Sequence, residues 1–496
     1  MTGWLADFFR LAWGLLYWNA RKSWFQLRRG RSPCPCQSPS DSGRALETQC
    51  EAMLTWGKPE RFRRVCPLLV QTPQGWRCAA NTADVRPFWG RALAYYGGTV
   101  LGVYLSLALA VFIFLRAVGY PVSIIHVTWP GSWHRVGQAR GWYFTERARQ
   151  AFAANRTAEA VLYLSNAYEF DPGNYVAGLT LAKVLQSGQP LVSNRIYERL
   201  YREHRLQQET TAEDWFRALL ARGDFQGMRE LAKDRLLHDT PSTSAWMRAL
   251  VFASEHGGRD DILRSIRDEP TLSAWRPLID AELLALAGRT AEARAALDRP
   301  GWERVPPYGT YYRISRLIRA GDPYRALDVL GSAAGRLDPE TTCTLQLEAF
   351  ARQDARRPRQ LLVDQLLGGR LTGPSIKVLT AHLIRNPDAE LFERLYARFQ
   401  RDPLPFNTEN APAYFAMLCA AGCHHDWIKF GEIGRSLTKH SGLSPALLVT
   451  VENFFRGRST SDRAVSILPV LPLPVELDYA LIERFPGKQT LTSNRP

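Results

Sequence analysis

Five of the eight cysteines in this 496-residue chain fall between Cys34 and Cys78. Pro33-Cys34-Pro35-Cys36 opens the cluster, and Cys50, Cys66 and Cys78 follow. Four thiolates close a tetrahedral zinc site. A segment this small has little core of its own, so a bound metal would supply much of its folding energy. No histidine precedes His126, which leaves an all-cysteine shell. Cys34, Cys36, Cys66 and Cys78 are the expected Zn2+ ligands, with Cys50 the spare because Gly43 to Trp56 reads as helix-like. The spacing is one C-x-C and three scattered singles, without the paired C-x-x-C knuckles of strong zinc motifs. Buried or free cysteines, and an iron–sulfur or redox role built on the C-x-C thiols, therefore stay open.

A second cluster, Cys419, Cys423, His424, His425 and Asp426, brings metal-ligand types to one turn. Side chains four apart share a helix face, so Cys419 could meet Cys423 or His425 at a metal. Gly422 is expected to interrupt that helix, and Cys419 sits where a small residue is buried, so packing is the expected role there and at Cys343. There is no Walker loop, G-x-S-x-G or H-E-x-x-H in the chain, and no catalytic constellation is expected.

These groups are separated by a stretch that sets their compartments. Leu93 to Leu115 is uncharged for 23 residues, roughly 30 Å or more as a helix and enough to cross a bilayer. Tyr95, Tyr96 and Tyr104 lie in its first half, and Tyr120, Trp129 and Trp133 follow it, as in an interfacial aromatic belt. Residues 1–92 hold 14 Lys or Arg against six acids, so +8 of the chain's +15 precedes the span. The positive-inside rule then puts the N-terminus in the cytoplasm and the C-terminal domain outside it, in the periplasm for a bacterial inner-membrane protein. The Arg- and Ala-rich composition favours a bacterial source. Trp4 to Trp18 is aromatic-rich and precedes the basic run Arg21 to Arg31, suited to a helix lying on an anionic surface. Elsewhere basic residues are mixed with acids, which gives no nucleic-acid footprint.

After Trp133 the chain repeats. Turns between helix-like apolar patterns fall at Asn155, Gly188, Gly223, Gly257, Gly288, Gly321, Asp354, Asn386 and Gly422, at a mean interval near 33.4. A helix, a tight turn and a second helix fill that period. Ala287-Gly288-Arg289-Thr290-Ala291-Glu292-Ala293 and Ala320-Gly321-Asp322-Pro323-Tyr324-Arg325-Ala326 share a helix-ending glycine and an alanine five residues later. These features resemble the tetratricopeptide repeat family over residues 140–435. The fullest match is Gly141 to Asn174, with Phe144 at the early aromatic position, Ala160 and Ala167 at the small positions, and Pro172 at the exit.

The resemblance implies an all-α fold: a right-handed solenoid of about nine helical hairpins, beside one transmembrane helix and the small cysteine-rich module. The expected segments are a membrane-surface helix (1–30), the cysteine module (31–92), the span (93–116), a linker (117–140), the solenoid (141–435), and a helical cap and tail (436–496). Such a stack presents a concave face lined by first helices, which binds proteins or peptides. The family's groove positions fall on Trp275 and Glu282, then on Tyr308, Tyr311 and Arg319. Trp, Tyr and Arg dominate interface hot spots. The expected function is a membrane-anchored scaffold for a protein partner in envelope assembly, secretion or export; the alternative is a metal- or redox-sensing signalling protein that uses the cysteine module.

Overall fold

The computed structural model describes residues 97–486 apart from 155, 187, 239–241, 442–443 and 460. Before residue 97 it describes 13, 16, 20, 24, 27, 37–38, 47–48, 69–73 and 75–78. The protein is helical, with 22 α-helices among the described residues. It divides into two compact units at Asn174 and Tyr175.

In the first unit, Trp13, Leu16, Trp24 and Leu27 are helical and more than half exposed. Two short antiparallel pairs follow, Gln37–Ser38 with Glu47–Thr48 and Leu69–Thr72 with Gly75–Cys78. Glu47 and Thr48 are thus extended where a helix was expected. Helix α1 (Gly98–Val118) is long and apolar enough to cross a membrane. Tyr104, Ala108, Phe112 and Leu115 form its one covered stripe, and Val100, Val103, Leu107, Ile113 and Phe114 are among its exposed side chains. It ends at Gly119, whose φ of 100° suits a residue without a Cβ. The short α2 (Ile124–Thr128) packs back against α1. Helices α3 (His134–Ala153) and α4 (Thr157–Phe170) then pack on each other. Gly141 permits that contact, since a Cβ there would lie 3.1 Å from the Ala167 carbonyl oxygen. Ala160 and Ala167, the two small positions, are fully buried.

The second unit continues with helices in pairs: α5 and α6 (Tyr175–Leu185, Pro190–Glu203), α7 and α8 (Gln208–Arg222, Phe225–Leu237), and α9 and α10 (Thr243–Gly257, Asp261–Ile266). Next come α11 and α12 (Arg276–Leu286, Thr290–Leu297), α13 and α14 (Pro307–Arg319, Pro323–Ser332), and α15 and α16 (Pro339–Arg352, Arg356–Gly368). The last pairs are α17 and α18 (Gly373–Arg385, Ala389–Arg401) and α19 and α20 (Ala411–Cys423, Trp427–Ser441). Gly223, Gly288 and Gly321 hold φ of 67°, 73° and 81° at their turns, and Asp354 takes the same left-handed conformation at 49°. Two expected turn residues move. Gly258 rather than Gly257 is left-handed, and helix α19 runs through Gly422 to Cys423, leaving His425 as the left-handed residue. Gly422 is instead a packing glycine: a Cβ there would lie 2.4 Å from the Phe455 ring.

First helices pack on first helices, α9 on α13, α13 on α15, α15 on α17 and α17 on α19. The segment after α21 (Pro445–Phe455) departs from the expected end cap. Its 3-10 turns Ala464–Ser466 and Leu468–Val470 pack on α7, and α22 (Val475–Arg484) packs on α17. Leu477, Ala480 and Leu481 of α22 are fully buried, so the C-terminal helix is part of the same core as the first helices it crosses.

Candidate functional site

The five residues expected on the groove come together on α11, α13 and the turn before α11. The Trp275 and Tyr308 rings are 6.3 Å apart and Tyr308 and Tyr311 stack at 5.9 Å. Trp275 and Glu282 are nevertheless 3% and 0% exposed, so neither is presented on an open surface. Glu282 accepts a hydrogen bond from the Tyr312 hydroxyl at 2.8 Å and pairs with Arg316, which also pairs with Glu255. Burial raises the Glu282 carboxyl above its usual range, with Arg316 opposing and Glu255 reinforcing the shift. Its second oxygen, Oε1, has no hydrogen-bond partner. One guanidinium shared by two carboxylates, with a phenol as donor, fixes three hairpins to one another; it is a structural joint.

Tyr308 and Tyr311 are half-buried and Arg319 is exposed. What they face is α22. Arg319 pairs with Glu483 at 2.6 Å and with Glu255 at 3.6 Å. Arg385 pairs with Glu483 and Glu348, each at 3.0 Å. Burial alone would raise the Glu483 carboxyl, but Arg385 and Arg319 hold it below its usual range. At the other end of α22, Arg248 pairs with Glu476 at 3.2 Å and lies over the Tyr479 and Tyr311 rings at 4.9 and 5.5 Å. Tyr479 stacks on Phe252 at 4.0 Å. Glu476, Tyr479 and Glu483, spaced i, i+3 and i+7, lie on one helix face. That face meets the aromatic and basic side chains of α9, α13 and α17.

Sequence reasoning missed Arg248, Arg385, Glu476, Tyr479 and Glu483 because their contacts span 98 to 228 residues. The acid–aromatic–acid spacing of Val475–Arg484 was the signal available. Beside α22 a cleft of about 490 Å³ remains, lined by Tyr308 and Tyr311, by the basic Arg248, Arg336, Lys377 and Arg385, and by the acidic Asp338, Glu340 and Glu476 among others. Lys377 is paired with Glu340. Arg336 donates to the Val305 carbonyl at 2.6 Å and has no carboxylate partner among the described residues.

The cysteine-histidine turn does not converge. Cys419 and Cys423 are buried within α19, and burial pushes the Cys423 thiol up to about 12 and Cys419 well above its usual range. Thiols held protonated are poor ligands and nucleophiles. His424 stacks on Phe392 with ring centres 4.9 Å apart, while Asp426 accepts from the Lys429 backbone N–H at 3.1 Å. Among the described residues no group of three or more His, Cys, Asp or Glu is placed to hold a metal. Cys34, Cys36, Cys50 and Cys66 lie outside the described residues, and Cys78 is the last residue of its strand. No family model matches the chain, and no curated protein matches it.

Proposed function

We propose that this chain is a membrane-anchored scaffold of tetratricopeptide-like hairpins, whose first-helix face holds a protein or peptide partner outside the cytoplasm. The observation that carries the reading is the cleft beside α22, where two stacked tyrosines border an arginine without a carboxylate partner. The chain's own α22 meets the same face through Glu476 and Glu483, so the chemistry that fits is an acidic segment with an apolar or aromatic residue between its carboxylates. Trp275 and Glu282 drop out of the contact set; Tyr308 and Tyr311 stay in it, and Arg336 and Lys377 join them. Arg319 serves α22 first.

The one helix among the described residues long and apolar enough to span, together with the basic surplus before it, supports anchoring with the N-terminus in the cytoplasm. The exposed apolar side chains of Trp13, Leu16, Trp24 and Leu27 support a surface-lying helix ahead of the cysteine module. Capture of partners by the full chain tests the reading. Arg336→Glu should lower partner recovery at least about tenfold with the fold intact. Undiminished capture refutes the site. A reporter fused after Pro496 should behave as extracytoplasmic, and a cytoplasmic signal there inverts the topology.

A further inference from the structure

The segment that follows α1 has its own chemistry. Between Arg91 and Arg135 the sequence carries one charged residue, Arg116. The apolar character therefore continues past the end of α1 through Gly119-Tyr120-Pro121 and on to Trp133. The Tyr104 hydroxyl donates to the Thr128 carbonyl. Tyr104 lies 14 residues before the last residue of α1, so by Thr128 the chain has come back along the helix by roughly 15–20 Å. Ile124, Ile125, Trp129 and Trp133 are 45%, 62%, 66% and 54% exposed on this returning stretch. Four large apolar side chains exposed between residues 124 and 133 make a patch that a water-soluble surface would not carry without a cover.

The backbone polar groups of this stretch find partners within the protein. A five-residue helix leaves carbonyls open at its C-terminal end, and here side chains supply donors to several carbonyls of the stretch. The Thr128 hydroxyl donates to the Ile124 carbonyl at 3.0 Å and the Ser132 hydroxyl to Ile125 at 2.8 Å. The Trp133 indole N–H donates to the Val127 carbonyl at 2.9 Å. Trp129 receives the Ser132 N–H and hydroxyl, both at 2.9 Å. At the other end, the Ser123 N–H donates to His126 Nδ1 at 3.4 Å. The Thr128 bond is of a kind that exposed helices also make, as at Thr180 and Thr450, whereas the Ser132, Trp133 and Tyr104 bonds join residues 6 to 24 apart and satisfy the Ile125, Val127 and Thr128 carbonyls within the protein. In hydrocarbon every open carbonyl costs several kcal/mol, and non-helical backbone survives there only when it is satisfied internally.

We infer that residues 119–133 form a second lipid-immersed element, a re-entrant turn that dips beside α1 and returns, with Ile124, Ile125, Trp129 and Trp133 against acyl chains. It rests on the reading of α1 as a membrane span. Pro130 and Gly131 make the reversal, in the 3-10 turn Pro130–Ser132, and the first charged residue after it, Arg135, lies in the first turn of α3, where a long side chain can reach the interface.

The test uses the full chain in phosphatidylcholine–phosphatidylglycerol vesicles, with a membrane-impermeant maleimide present on both faces and peptide mapping to read each cysteine separately. Ile113→Cys reports on α1, Ile125→Cys on the proposed turn, and Arg149→Cys, at a side chain 75% exposed, on solvent. Ile124→Cys is the second position should Ile125→Cys fail to accumulate. The expected result is that Ile125→Cys and Ile113→Cys both react at least about tenfold more slowly than Arg149→Cys. If Ile125→Cys reacts as fast as Arg149→Cys while Ile113→Cys stays protected, the span stands and the re-entrant turn is overturned. If Ile113→Cys also reacts freely, the membrane reading fails and takes the inference with it.

Discussion

Asp478 on α22 offers a direct measure of how firmly the C-terminal helix is held. Its Oδ1 is sealed from solvent and has no hydrogen-bond partner. Burial pushes the carboxyl from an ordinary 3.8 up to about 8, with Glu476 adding to the shift and Arg217 opposing it. The folded state therefore keeps a proton that the unfolded state has lost over the window between those values. For a raised carboxyl the sign is that stability is greatest below pH 4, falls as pH rises through the window, and levels off above about 8. At pH 7 the window is crossed by about 3 units, and at about 1.4 kcal/mol per unit the penalty is at most about 4 kcal/mol. The Asp478 side chain is only partly covered, which reduces the expected effect to about 1–3 kcal/mol. Asp478→Asn removes the titration while keeping the shape. Denaturant unfolding of the full chain in mild detergent, at half-unit steps from pH 4.5 to 8.5, should give a variant that gains on the parent as pH rises. Other titrating groups are common to both proteins and cancel. Parallel stability curves across that range would show that Asp478 ionises equally in both states, and the account of α22 as a sealed helix would be wrong.

Ala326 is fully buried where α14 meets its neighbours, whereas Ala293, at the same register, is half-exposed. Ala326→Leu should cost about 1–3 kcal/mol and Ala293→Leu under about 0.5, and equal melting shifts would deny the difference. Glu282→Ala strips Arg316 and Tyr312 of a shared acceptor and should destabilise by about 3–5 kcal/mol. Glu282→Gln should lose less, and the reverse order in unfolding experiments would reject the joint. Full-length protein should carry about one zinc, lost in Cys36→Ser and retained in Cys50→Ser by elemental analysis; metal-free protein of native helicity leaves only the thiol readings.

The helix pairs were legible because their punctuation is local. A left-handed residue after a helix is a property of four or five positions, and Gly223, Gly288 and Gly321 declare it in their type. Where the type is ambiguous the reading slipped by one to three residues, at Gly257 and Gly422, since Gly258 and His425 take the turn instead. Buried alanines at helix crossings were legible for the same reason, as Ala160, Ala167 and Ala326 bear out. The face that the pairs present was not. Groove positions inferred one hairpin at a time carry no information about a helix that arrives 164 residues later to pair with Arg319. Nor does hydrophobic length reveal that Tyr104 has a partner at Thr128. That pairing depends on a chain reversal at Gly119, left-handed at φ 100°, and Pro121 rather than on any periodicity.

A stack in which each unit touches only its neighbours can fold in the order of its synthesis. The C-terminal helix removes that freedom. Arg248 meets Glu476 only after 228 further residues have been made, which takes roughly 10–50 s at 5–20 residues per second. From the moment each is made until then, Phe252 and Tyr311 stand without the helix that packs on them, and Arg248, Arg319 and Arg385 without Glu476 and Glu483. A nascent chain in this state exposes aromatic and basic surface to whatever surrounds it, and a ribosome stalled before residue 475 would release a product with that surface bare.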